Sequence, residues 1–145
     1  MKVEAAEALA TEYLDTWSAP NGPALESTTA FYAPQVRFHG RVMSARALLE
    51  EKRRFVRRWP ERSYRPRLAT MGTACAPNGR TCTVRSIFDF AAADPVSGRR
   101  SEGIGTIELV VSFAGERPVI AAENSSVLGR LRGEQRSALE DDDDE

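Results

Sequence analysis

Two hydrophobic periods divide this chain: apolar positions recur every three or four residues up to Pro60 and every second residue beyond Arg62. The most regular helical stretch runs from Ser44 to Pro60. Leu48, Lys52, Phe55, Val56 and Trp59 share one face, and Glu50, Glu51, Arg53, Arg54, Arg57 and Arg58 occupy the other. Ser44 suits an N-cap, Glu50 is spaced to pair with Arg54, and Pro60 cannot continue the helix. An earlier helix is predicted over Val3–Trp17, with Val3, Ala6, Ala10, Tyr13, Leu14 and Trp17 on its stripe. Ser18-Ala-Pro-Asn-Gly-Pro ends it. Pro23 suits the first position of a short second helix carrying Leu25, Thr28, Phe31 and Tyr32, closed by Pro34. Gln35–His39 alternates as a brief strand, after which Gly40-Arg41 turns the chain toward the long helix.

The alternating half predicts four long strands, at Ser63–Ala76, Arg80–Ala92, Arg99–Phe113 and Pro118–Leu128. Turn chemistry separates them: Pro77-Asn-Gly, Asp94-Pro-Val-Ser-Gly and Ala114-Gly-Glu-Arg-Pro. Asn78-Gly79 fits a type I′ hairpin, which needs positive φ at both central residues. Consecutive hairpins give an antiparallel meander. Strands this long twist, and Gly103 and Gly105 suit a bend. An amphipathic helix over a curved sheet implies a pocket between them.

At 145 residues the chain makes one domain, expected over residues 1–130. Residues 131–145 end in Glu140-Asp-Asp-Asp-Asp-Glu145, a run of like charge expected to be a disordered acidic tail. No apolar run approaches the ~20 residues of a membrane span. The acidic N-terminal stretch is not that of a signal peptide, so a chain starting natively at Met1 is expected in the cytoplasm. A domain cut from a longer exported protein would be periplasmic or extracellular. A formal net charge of −1 gives no general attraction to nucleic acid or acidic lipid. Locally the balance differs: from Arg46 to Arg67 nine basic residues stand against three acidic ones. Without a stacking platform this reads as a solvated face or a protein-partner surface, through Arg53, Arg54, Arg57 and Arg58, rather than a nucleic-acid site. The acidic tail is one such partner.

FYAPQVRFHGR followed by SARALLEEKRRFVRRWP, and later SEGIGTIELVVSF and PVIAAENSSVLGR, resemble the nuclear-transport-factor-2-like superfamily over roughly residues 3–130. That superfamily includes SnoaL and the ketosteroid isomerases. The nearest resemblance is to bacterial modules of unassigned function, some attached to protease domains. It implies an α+β cone of three N-terminal helices on a curved antiparallel sheet of four long strands and one short one. It also implies a homodimer through the outer sheet face. The implied cavity is lined by Tyr13, Trp17, Phe31, Phe38, His39, Phe55 and Trp59. The superfamily hosts isomerases, dehydratases, hydrolases and ligand-free dimerisation modules, so fold alone does not choose.

The isomerase branch uses an aspartate base, and here Phe38 and then His39 stand at that position. Tyr13 matches a helix-borne hydrogen-bond donor and Glu108 stands near the second donor. Alternation, however, puts Glu102 and Glu108 on the face opposite Ile107, Leu109 and Val111. Glu123 and Asp89 also fall in strands, and any carboxylate facing the cavity becomes a candidate acid or base through desolvation. The expectation is a non-catalytic module binding a small apolar ligand or a protein. The alternatives are a small enzyme using His39 and Tyr13, or an accessory dimerisation domain of a larger protein. No phosphate loop, dinucleotide fingerprint, nucleophile elbow or metal-ligand run is present, so no cofactor or metal is implied. Counting outward from Asn78-Gly79 sets Cys75 opposite Cys82, within disulfide reach; a disulfide or two packed thiols both satisfy that spacing.

Overall fold

The computed structural model describes residues 2–18 and 29–130. Helix α1 spans Lys2–Trp17 and buries Ala6, Ala10, Tyr13, Leu14 and Trp17, the predicted stripe without Val3. Strands β1 (Tyr32–Phe38) and β2 (Arg41–Ser44) form a hairpin that leads into helix α2 (Ala45–Arg58). Five strands follow: β3 (Glu61–Pro66), β4 (Gly72–Cys75), β5 (Thr81–Asp94), β6 (Arg99–Ser112) and β7 (Val119–Arg130). All seven join one curved sheet in the order β2-β1-β7-β6-β5-β3, with β4 also paired to β5.

Several expectations are corrected. The described residues hold two α-helices. The predicted second helix lies largely outside them; its visible end is a single 3-10 turn at Thr29–Phe31, and Tyr32 already belongs to β1. Pro34 sits inside β1, where the β1–β7 register shifts between Tyr32 and Arg37 and no ladder bond needs its missing N–H. The sheet is mixed, because β1 runs parallel to β7. The first long strand is broken by a 3-10 turn at Leu68–Thr70, so Ser63–Ala76 becomes the ends of two strands, β3 and β4. The predicted acidic tail, residues 131–145, lies outside the described residues.

The type I′ turn also moves. His39 and Gly40 both have positive φ (51° and 85°) between the paired residues Phe38 and Arg41. Histidine tolerates that region better than branched residues do. At the Cys75–Cys82 turn only Gly79 is left-handed, because Pro77 fixes its own φ near −65° and builds an Ala76–Gly79 turn instead. The register is unchanged: Cys75 faces Cys82 across β4 and β5, with Cα atoms 3.9 Å apart, and the two sulfurs form a disulfide.

Helix α1 lies across β3, β4 and β5, whereas α2 packs on β1 and β2. The hollow therefore sits between two helices and the sheet, not under α2 alone. Ser44 caps α2 by accepting from the Ala47 N–H at 3.1 Å. At the other end Arg62, 7% exposed, donates to the carbonyls of Trp17 at 3.0 Å and Trp59 at 2.8 Å. One guanidinium thus satisfies terminal carbonyls at the C-terminal ends of both helices, where a cation is favoured. Sheet curvature comes from register shifts at Ile104/Gly105 and Val110/Val111. Gly103 and Gly105 leave room for the rings of Phe90 and Phe88 to lie across the inner face. A Cβ on Gly105 would come within 2.7 Å of Phe88 Cζ.

Candidate functional site

Tyr13 and Trp17, one helical turn apart on α1, point toward the inner face of β7. There Glu123 lies opposite Leu109, 4% exposed. A lone carboxylate in that position would be costly to bury, and three side chains offset the cost. The Tyr13 hydroxyl donates to Glu123 Oε1 at 2.6 Å, and Lys52 Nζ reaches from α2 to Oε2 at 3.2 Å. Tyr32 Oη lies 2.5 Å from Tyr13 Oη. Since the single Tyr13 proton goes to the carboxylate, Tyr32 is the donor in that contact. The result is a directed chain, Tyr32 to Tyr13 to Glu123, closed by the Lys52 ammonium. That ammonium also lies 5.1 Å from the Trp17 ring centroid and 5.0 Å from that of Phe38, so both rings present to the cation. Burial, reinforced by the Glu123 charge, raises the Tyr13 pKa well above the ordinary tyrosine value, and Tyr32 is raised for the same reasons. Both phenols therefore stay protonated as donors.

Beyond this cluster opens a cavity of about 150 Å³. Its walls are aromatic and aliphatic: Trp17, Phe38, Phe55, Trp59, Tyr64, Phe88, Phe90 and Ile107, with Glu123, Lys52 and Ser125 as polar contributors. Edge-on rings hold one wall, with centroids 5.9 Å apart for Tyr64 and Phe88. His39, Glu51, Arg130 and the exposed Ser126 also belong to the lining. Arg130 stacks over Phe90 at 5.7 Å and donates to Ser101 Oγ at 2.8 Å, and Arg99 lies 5.4 Å over Trp59.

Of the residues singled out from sequence, Tyr13, Trp17, Phe38, His39, Phe55 and Trp59 line this cavity. Phe31 does not; it stands behind Tyr13, ring centroids 5.6 Å apart. His39 sits in the β1–β2 turn with its ring edge-on to Phe38 at 4.4 Å, and burial lowers its pKa. Its side chain makes no hydrogen bond among the described residues. Glu108 is on the outer face, paired with Arg85 at 2.6 Å, where alternation put it. Asp89 is also outside, gripped by Arg67 at 3.0 and 2.7 Å; those hydrogen bonds lower its pKa. On α2, Glu50 pairs with Arg53 (3.7 Å) and Glu51 with Arg54 (2.9 Å), three residues apart rather than the expected four.

Three members of the cluster carry roles that pattern reading did not assign. In the sequence Glu123 is one of several strand carboxylates, and the periodicity predicts Tyr32 on a helix. Lys52 was recognised as an apolar-face residue, and it is the one charge on that stripe; that mismatch was the available clue to a buried acidic partner. Among the described residues no group of three His, Cys, Asp or Glu could hold a metal ion. No helix among them is long and apolar enough to cross a membrane.

No protein-family model matches the chain, and no curated protein matches it in sequence. Solved structures do match in shape. A candidate aromatic ring hydroxylase from Novosphingobium aromaticivorans superposes with a TM-score of 0.74 at 12% identity, over 88% of this chain and 90% of that one. A candidate dehydratase of the NTF2-like family from Streptomyces avermitilis gives 0.71 at 10% identity, over 87% and 96%. An uncharacterised protein with a cystatin-like fold from Caulobacter vibrioides gives 0.69 at 14% identity, over 95% and 94%. At such identities the likeness establishes the nuclear-transport-factor-2-like, cystatin-like fold and leaves chemistry to the site itself.

Proposed function

We propose that this nuclear-transport-factor-2-like fold serves as a binding domain for a small ring-containing molecule, held in the aromatic cavity and hydrogen-bonded at its Lys52–Glu123 end. The observation that carries the reading is the pairing of an open, mostly apolar cavity of about 150 Å³ with a carboxylate whose two oxygens are already engaged. Here Oε1 accepts from Tyr13 and Oε2 from Lys52. Lys52 makes one hydrogen bond among the described residues, so its ammonium keeps donor capacity for a ligand oxygen. The cavity volume matches a six-membered ring with one or two substituents; dry apolar cavities near 150 Å³ are known to hold benzene.

The enzyme alternative keeps one supporting observation. The Tyr13 hydroxyl lines the cavity, and it becomes a donor to a developing oxyanion if its proton turns from Glu123 to the ligand oxygen, with the Lys52 ammonium beside it.

The test is a proton–nitrogen and aromatic proton–carbon NMR titration with benzene, cyclohexanone, phenol and benzyl alcohol. Saturable shifts centred on Trp17, Trp59, Phe88 and Lys52, stronger for the oxygen-bearing rings than for benzene, are expected. Shifts that never saturate, or that map away from these residues, would reject the reading. Conversion of any ring substrate during the titration would favour the enzyme.

A further inference from the structure

The outward stripe of α2 carries Arg46, Arg53, Arg54, Arg57 and Arg58 against Glu50 and Glu51, five arginines to two glutamates. The two glutamates are used within the helix, on Arg53 and Arg54. Arg46 and Arg57 are exposed and form no ion pair among the described residues, so the stripe offers two guanidinium groups that no described carboxylate pairs. Fourteen residues of helix make this stripe about 21 Å long.

The sequence beyond β7 supplies a complement. Strand β7 ends at Arg130, whose side chain lines the same cavity as Phe55 of α2 and Trp59 at its C-terminal end. Ten residues later begin Glu140-Asp-Asp-Asp-Asp-Glu145, six consecutive acids. Ten extended residues reach up to about 33 Å, more than the length of the helix. Six extended residues cover about 20 Å, close to the stripe itself.

From charge and reach together, we infer that the arginine stripe of α2 is a docking surface for an acidic segment, and that its occupant is residues 140–145 of the same chain. Covalent attachment makes the association intramolecular, with an effective concentration in the millimolar range for a short flexible connection. Surface ion pairs are individually weak, so docking depends on several acting together and weakens with salt. The inference is independent of what the cavity binds.

The experiment compares amide NMR spectra of the full chain with those of the full chain carrying Asp141→Asn, Asp142→Asn, Asp143→Asn and Asp144→Asn. At low salt the expected differences fall on the amides of Arg46–Arg58. They should vanish for both proteins in about 1 M salt, where screening acts within about 3 Å. They should also be unchanged on dilution, and shrink in an Arg54→Gln/Arg57→Gln background. Identical α2 signals in the two chains, or differences confined to other surfaces, would overturn the inference. Differences that fade on dilution would overturn it as well, by assigning the stripe to the tail of another copy.

Discussion

Replacing Lys52 by Met keeps the length and most of the apolar stem of the side chain while removing the charge opposite Glu123. At 3.2 Å and an effective dielectric of about 20, the Coulomb attraction between the two groups is about 5 kcal/mol. Much of that is offset by the cost of taking both ions out of water, so the intact pair adds little net stability. The variant is different, because it leaves a carboxylate only 4% exposed with Tyr13 as its hydrogen-bond donor. Breaking a buried pair from one side costs about 3–5 kcal/mol. With the Lys52 side chain 16% exposed, the lower end, about 3 kcal/mol, is expected. At a urea slope of about 2 kcal/mol/M this lowers the unfolding midpoint by about 1.5 M. Glu123→Gln added to Lys52→Met removes the stranded charge and leaves an amide that can still accept from Tyr13. The double variant should therefore lose about 2 kcal/mol less than the sum of the two single variants. A Lys52→Met loss under about 1 kcal/mol, or strict additivity in the cycle, would refute the idea that the pair neutralises a buried charge.

Arg62→Met strands the carbonyls of Trp17 and Trp59 at the two helix ends. A loss of about 2–4 kcal/mol is expected by urea unfolding, with tryptophan emission shifted to the red because both indoles border the cavity. Gly105→Ala sets a methyl group 2.7 Å from Phe88 Cζ, and about 1–3 kcal/mol of destabilisation should accompany weaker binding of ring ligands as Phe88 moves into the cavity. Two pH effects follow from the buried groups. Burial depresses the His39 pKa, so the unfolded chain takes up its proton first; stability present above about pH 6.5 is lost as the pH falls through the folded value, and His39→Asn should flatten that slope while tolerating the left-handed turn. Tyr13 and Tyr32 are shifted the other way: their contribution is complete below about pH 10 and declines above it, a decline that Tyr13→Phe should reduce.

Alternation along β6 separates Glu108 from Ile107, Leu109 and Val111 in the sequence alone, because a half-buried strand enforces the period of two over its whole length. The helical stripe of α1 was equally legible, since five of its six predicted apolar positions are buried. What could not be read was set by contacts distant in sequence. Glu123 gains its meaning from Tyr13, 110 residues earlier, and from Lys52, 71 residues earlier, and no local pattern encodes that convergence. Pro34 reads as a helix stop just after Tyr32, whereas a register shift in the β1–β7 ladder accommodates it within a strand. The hairpin signal was right in kind and wrong in place: Pro77 excluded a type I′ turn at Asn78-Gly79, and His39-Gly40 adopted one. A histidine with acid–base potential thus doubles as the residue that closes a turn.

The proposed reading places a small ring with a polar substituent between Trp17, Trp59, Phe88 and Lys52. Its most direct test is a crystal structure of the protein grown with phenol. Density for the ring between Trp59 and Phe88, with its oxygen within hydrogen-bonding distance of Lys52 Nζ, is the predicted result. A structure at saturating phenol in which those side chains close on one another and exclude the ring would show that the cavity is not a ring-binding site.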